Sequence, residues 1–123
     1  MAGEKVLVVE DNPVNLELVT VLLELAGYAV ICAKDAEEGI ALVRRERPAV
    51  VLMDIGLPGI DGLEATKILK ADPEVGDIPV VALTAYAMSK DEEMTKSVGC
   101  SGYLTKPINT RDFADQVARF IEG

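Results

Sequence analysis

The chain has 123 residues, half of them hydrophobic, enough for one domain with its own core and no need of a disulfide framework or structural metal. Its 12 basic and 21 acidic residues leave a formal charge of −9, which argues against direct nucleic-acid binding and against an anionic membrane surface as partner. It has no histidine, and its two cysteines, Cys32 and Cys100, form no CxxC pair, so zinc sites, serine–histidine triads and cysteine–histidine nucleophiles lack their raw material.

Both cysteines read as small, reduced packing residues of a cytoplasmic protein. No signal peptide is visible, and no apolar stretch approaches the length of a membrane span. Short apolar runs rich in β-branched residues alternate with amphipathic ones. Residues 6–9 read as a fully buried strand. Asn12 then caps a helix that has Pro13 at its first position and Gly27 just past its end. Val14, Leu18, Val21, Leu22 and Leu25 fall on one stripe of that helix, its expected core face.

A second strand spans 29–32, and Asp35 with Glu38 opens a helix that ends before Pro48. A third strand covers 50–53, and a turn with Pro58, Gly59 and Gly62 leads into a helix over 63–71. A fourth strand covers 79–83, and Ser89 and Glu92 start a helix ended by Gly99. The fifth strand is 102–105 and the last helix 110–121.

Five βα units in succession imply an α/β fold, a flavodoxin-like three-layer sandwich with a five-stranded parallel sheet and helices on both faces. The order common among such sheets is 2-1-3-4-5, with a ligand crevice where the order reverses between strands 1 and 3. In a parallel sheet all strand carboxyl ends share one edge. The residues there are Glu10 and Asp11 after strand 1, Asp54 after strand 3, Thr84 after strand 4 and Lys106 after strand 5.

Three carboxylates brought together repel, which calls for a cation among them. Mg²⁺ suits the set, being a hard ion that takes carboxylate, water and phosphate oxygens. One carboxylate can attack phosphorus, while a hydroxyl and an ammonium stabilise the oxygens in transfer. Singly, each residue has a plainer reading: Glu10 and Asp11 could cap the next helix, Thr84 could be a turn residue and Lys106 a solvated lysine. Capping alone does not account for all five at strand ends.

The segments Val8-Val9-Glu10-Asp11-Asn12, Leu52-Met53-Asp54-Ile55-Gly56-Leu57-Pro58-Gly59, Ala82-Leu83-Thr84-Ala85 and Tyr103-Leu104-Thr105-Lys106-Pro107 resemble, in order and spacing, the receiver domain of bacterial two-component response regulators. The resemblance spans essentially the whole chain, read as a single domain over 1–123, and is closest to stand-alone DivK-type receivers and those attached to hybrid histidine kinases. It implies Asp54 as the phosphoacceptor, Mg²⁺ on Asp11 and Asp54 with Glu10 acting through water, and the Gly56 backbone carbonyl as a further ligand. It also implies that Thr84 and Lys106 hold the phosphoryl group, that Tyr103 is a switch aromatic, and that the Lys106-Pro107 bond is cis. The implied partners are a histidine kinase or a His-containing phosphotransfer protein, and a downstream protein target. The target would meet the face made by the fourth predicted helix, the fifth strand and the last helix, with Met88, Lys90, Met94, Tyr103, Ile108 and Phe113 as candidate contacts; Ile108 and Phe113 also read as core, and for Phe113 that reading is preferred.

The acidic pair is Glu-Asp where Asp-Asp is commoner, and Gly56 stands where many members carry a larger side chain. Two other readings compete. A haloacid-dehalogenase-like phosphatase needs a second acid two residues after the nucleophile, where this chain has Gly56. A receiver-like scaffold that only binds proteins usually lacks one of the acids or the lysine, and all are present here. A nucleotide site is disfavoured, since there is neither a P-loop nor a G-x-G-x-x-G. The chain is therefore expected to be a signalling phosphoacceptor that catalyses only its own phosphorylation and dephosphorylation.

Overall fold

A computed structural model describes residues 3–55, 62–84, 99–105 and 110–122. Gly56, Lys106, Pro107 and the helix expected between Ser89 and Gly99 lie outside the described residues, as do Met88, Lys90, Met94 and Ile108.

The chain runs β1 (Lys5–Val9), α1 (Pro13–Leu25), β2 (Ala29–Ala33), α2 (Ala36–Glu46), β3 (Val50–Asp54), α3 (Gly62–Ala71), β4 (Val80–Thr84), β5 (Gly102–Thr105) and α4 (Phe113–Glu122). All strand pairs are parallel, in the order β2-β1-β3-β4-β5. β1 and β3 are neighbours although β2 lies between them in sequence, so the expected reversal falls between them.

Because side chains alternate along each strand, the two sheet faces build separate cores. Val6, Val8, Leu52, Val81, Leu83 and Leu104 pack with Val19 and Leu23 of α1 and Phe113 and Val117 of α4. Leu7, Val9, Val51 and Met53 pack with Ile40 and Val43 of α2 and Ala65 and Leu69 of α3. At Gly39 an added Cβ would lie 2.8 Å from a Val9 methyl, so α2 sits close against β1.

Local chemistry sets the element ends. Asn12 Oδ1 accepts from the N–H groups of Val14 and Asn15 at 2.9 and 3.1 Å, and Pro13 opens α1 behind it. Gly27, at φ 97°, provides the left-handed turn that ends the helix. Asp35 Oδ1 accepts from Glu38 N–H at 2.8 Å, as expected for the start of α2. The last helix begins later than the sequence suggested, with residues 110–112 forming a turn ahead of Phe113.

Two expectations need correction. Val14, Leu18, Val21 and Leu25 do not face the core but are exposed; Val19 and Leu23, with Leu16 and Leu22 beside them, are what α1 buries. The helix is apolar on two opposite faces, and periodicity alone marked the wrong one. Cys32 is exposed beside Thr20 rather than packed, whereas Cys100 is half-buried against the α2/α3 core; both are free thiols.

Candidate functional site

The site forms where β1 and β3 end side by side. Val9 pairs with Met53, and past that register the chain places Glu10 and Asp11 next to Asp54. Glu10 remains anchored to the sheet by its N–H, which donates to Ala33 O at 3.0 Å. Its side chain is buried, and Oε2 accepts from Asn12 N–H at 3.2 Å. Since Asn12 caps α1, neither acid serves as the cap, which removes the plainer reading of the pair.

Asp54 is the last residue of β3 rather than the one after it, and it is buried. It stands opposite Leu83 of β4, and the Ile55 N–H extends that pairing to Leu83 O at 3.2 Å. Each of Glu10, Asp11 and Asp54 offers a carboxylate oxygen within 4.8 Å of the other two, with Asp11 on the solvent side. Ionised carboxylates about 5 Å apart repel by roughly 3 kcal/mol at an effective dielectric of 20. An all-oxygen, strongly negative cluster of this size fits a hard divalent cation.

Thr84 ends β4 one residue past Asp54's partner, and it too is buried. Thr105 of β5 lies opposite it, at the same edge of the sheet. Of the residues expected at the site, the structure brings together Glu10, Asp11 and Asp54, with Thr84 on the adjoining strand. Tyr103 is half-buried on β5, opposite Ala82, and lines a cleft of about 560 Å³ together with Gln116, Arg119 and Phe120. Phe113, the first residue of α4, is core, in line with its plainer reading.

Sequence reasoning missed what lies under Asp54. A Cβ on Gly62 would press into the Asp54 carbonyl oxygen and come within 2.7 Å of Ile55 Cα, so α3 starts against the backbone of Asp54 itself. The buried Thr66 hydroxyl donates to Gly62 O at 2.7 Å and braces that first turn. In the sequence, Gly62 reads only as part of a turn with Pro58 and Gly59. Cys100 lies with its Sγ 3.9 Å from Thr66 Oγ1, and burial pushes its thiol up, as in a packing residue rather than a reactive thiolate.

Residues 6–118 match the family model of the response regulator receiver domain. The chain belongs to that family. This receiver is 42% identical over 118 residues to the polar-differentiation response regulator DivK of Brucella anthropi, covering 96% of each chain. Among solved structures it resembles the receiver domain of a Pseudomonas aeruginosa sensor histidine kinase, which has a magnesium ion coordinated in its active-site cleft. That likeness has a TM-score of 0.90 and 34% identity, and covers 99% of this chain and all of that one. A Vibrio cholerae chemotaxis response regulator is similar at a TM-score of 0.91 and 29% identity, covering 97% of this chain and 99% of its own. The receiver therefore works in two-component signalling, and its acidic cluster could hold a metal ion.

Proposed function

We propose that this receiver, a single domain over 1–123, accepts a phosphoryl group on Asp54 from a phosphohistidine of a histidine kinase or phosphotransfer protein. The observation that carries the reading is the buried position of Asp54 beside Glu10 and Asp11 at the sheet's point of reversal. An Asp54 carboxylate oxygen attacks phosphorus, the N–P bond breaks, and the imidazole leaves with the electron pair. Thr84 donates its hydroxyl to a transferred oxygen, and Lys106 pairs with another. Asp11 and Asp54, with Glu10 through water and the Gly56 carbonyl, are the residues that would hold Mg²⁺; the ion would supply positive charge against the phosphoryl oxygens. The output is a conformational change, with Thr84 drawn toward the phosphoryl group and Tyr103 turning inward behind it. The side around β5 and α4 then meets a downstream protein.

The test is phosphorylation by acetyl phosphate with Mg²⁺, read by intact mass. The parent should gain one phosphoryl group and Asp54→Asn none. Labelling that persists in Asp54→Asn would overturn the assignment, and an unlabelled parent would favour the scaffold reading.

A further inference from the structure

The peptide that follows Asp54 is held from two sides. Its Ile55 N–H donates to Leu83 O of β4 at 3.2 Å. Its carbonyl oxygen meets Gly62, on the side where any other residue would carry a Cβ, which leaves room only for hydrogen. Leu83 is followed by Thr84, so this one peptide ties the carboxylate's backbone both to the strand that carries the hydroxyl and to the start of α3.

Gly62 is held in turn by Thr66, one helical turn on. Thr66 is fully buried; its hydroxyl donates to Gly62 O at 2.7 Å and accepts from the Cys100 thiol, whose Sγ lies 3.9 Å away. A hydroxyl bonded to the carbonyl four residues back bends the helix at that turn. The plainer reading is that a buried threonine merely satisfies itself in this way. Thr20 of α1 is the case for comparison: its hydroxyl lies 2.7 Å from Leu16 O and 3.6 Å from Cys32 Sγ. Its carbonyl partner belongs to the interior of a helix. In α3 the partner is the first residue, the one in contact with Asp54.

We infer that Thr66 is a positioning residue for phosphoryl acceptance: its hydroxyl sets the tilt of the first turn of α3, and Gly62 passes that setting to the peptide beside the acceptor carboxylate. The inference rests on Asp54 as the acceptor. Attack on phosphorus needs the carboxylate oxygen in line, and a misplacement of about 1 Å can cost about a hundredfold in rate.

The test labels the full chain with acetyl phosphate at saturating Mg²⁺ and follows the rate by intact mass. Thr66→Val keeps the volume and removes the hydroxyl, and it should label about tenfold more slowly than the parent. Thr66→Ser and Thr20→Val should label close to the parent rate. In the unlabelled chain the Ile55 amide resonance should move in Thr66→Val and return in Thr66→Ser, a change that lost stability alone does not produce. If circular dichroism shows Thr66→Val unfolded, Thr66→Ala carries the same expectations. A parent rate in the hydroxyl-free variant, an unmoved Ile55 amide, or equal slowing in Thr66→Ser or Thr20→Val would overturn the proposal. Asp54→Asn, run alongside, separates it from the assignment of the acceptor. Label in that variant overturns the acceptor and this inference with it; no label there, with an unslowed Thr66→Val, overturns this inference alone.

Discussion

Asp11 is the exposed member of a cluster whose other two carboxylates are buried, and this difference separates two effects of replacing it. Without divalent ion, Asp11→Ala removes a like charge and should leave the fold as stable as the parent or more so. With Mg²⁺ at ten times its dissociation constant, the parent should gain about 1.4 kcal/mol by mass action. Thermal melts with and without Mg²⁺ should show that gain in the parent and little of it in Asp11→Ala; an equal gain in both would remove Asp11 from the ligand set. These acids were legible in the sequence because parallel strands end on one edge, so the residue at each strand end needs no distance to be placed. Gly62 was not legible in the same way. Its importance is the approach of one backbone to another across the crossover, and no pattern of residue types encodes a separation.

α1 shows the same division at the scale of an element. Its limits could be read from Asn12, Pro13 and Gly27, because capping and positive φ are local chemistry. Which face it buries could not be read, because a helix with leucines and valines on opposite sides satisfies the 3.6-residue period twice. The choice is made by the strands beneath, where Val6, Val8 and Leu52 receive Val19 and Leu23. Two leucines of one helix should therefore respond very differently. Leu23→Ala should cost about 2–5 kcal/mol, since it empties a fully buried site. Leu18→Ser should stay within about 0.5 kcal/mol of the parent, in line with other surface changes. Urea unfolding of the two variants checks this; a large loss in Leu18→Ser would mean that the exposed face stabilises the isolated fold.

For the molecule as a whole, the element order follows from alternating β-branched and amphipathic runs, whereas the strand order rests on what is common among such sheets and not on the pattern itself. Charge contacts between layers were invisible until the layers were assembled. Lys5 of β1 donates to Glu46 at 3.2 Å, and Arg44 of α2 donates to Asp72 at 3.0 Å, just past α3. Side-chain hydrogen bonds from Lys5 and Arg45 hold Glu46 below its ordinary 4.5. The Glu74 N–H and then Arg44 hold Asp72 below 3.8. Folded values below unfolded ones make these contributions complete above about pH 4.5 and lost as the pH falls through the lowered folded values. Melting temperature should therefore drop on acidification below that point, and the drop should be smaller in Glu46→Gln with Asp72→Asn. An unchanged acid slope would assign acid unfolding to other carboxylates. The sheet itself has a consequence for redesign. With one core on each side and, among the described residues, no side chain common to both, it acts as a partition. Val43→Ala and Val117→Ala, one per side, should add within about 0.5 kcal/mol in a double-mutant cycle, whereas Val19→Ala and Val117→Ala share a compartment and should couple. One compartment can then be rebuilt for stability or for a new ligand while the other keeps its original fit.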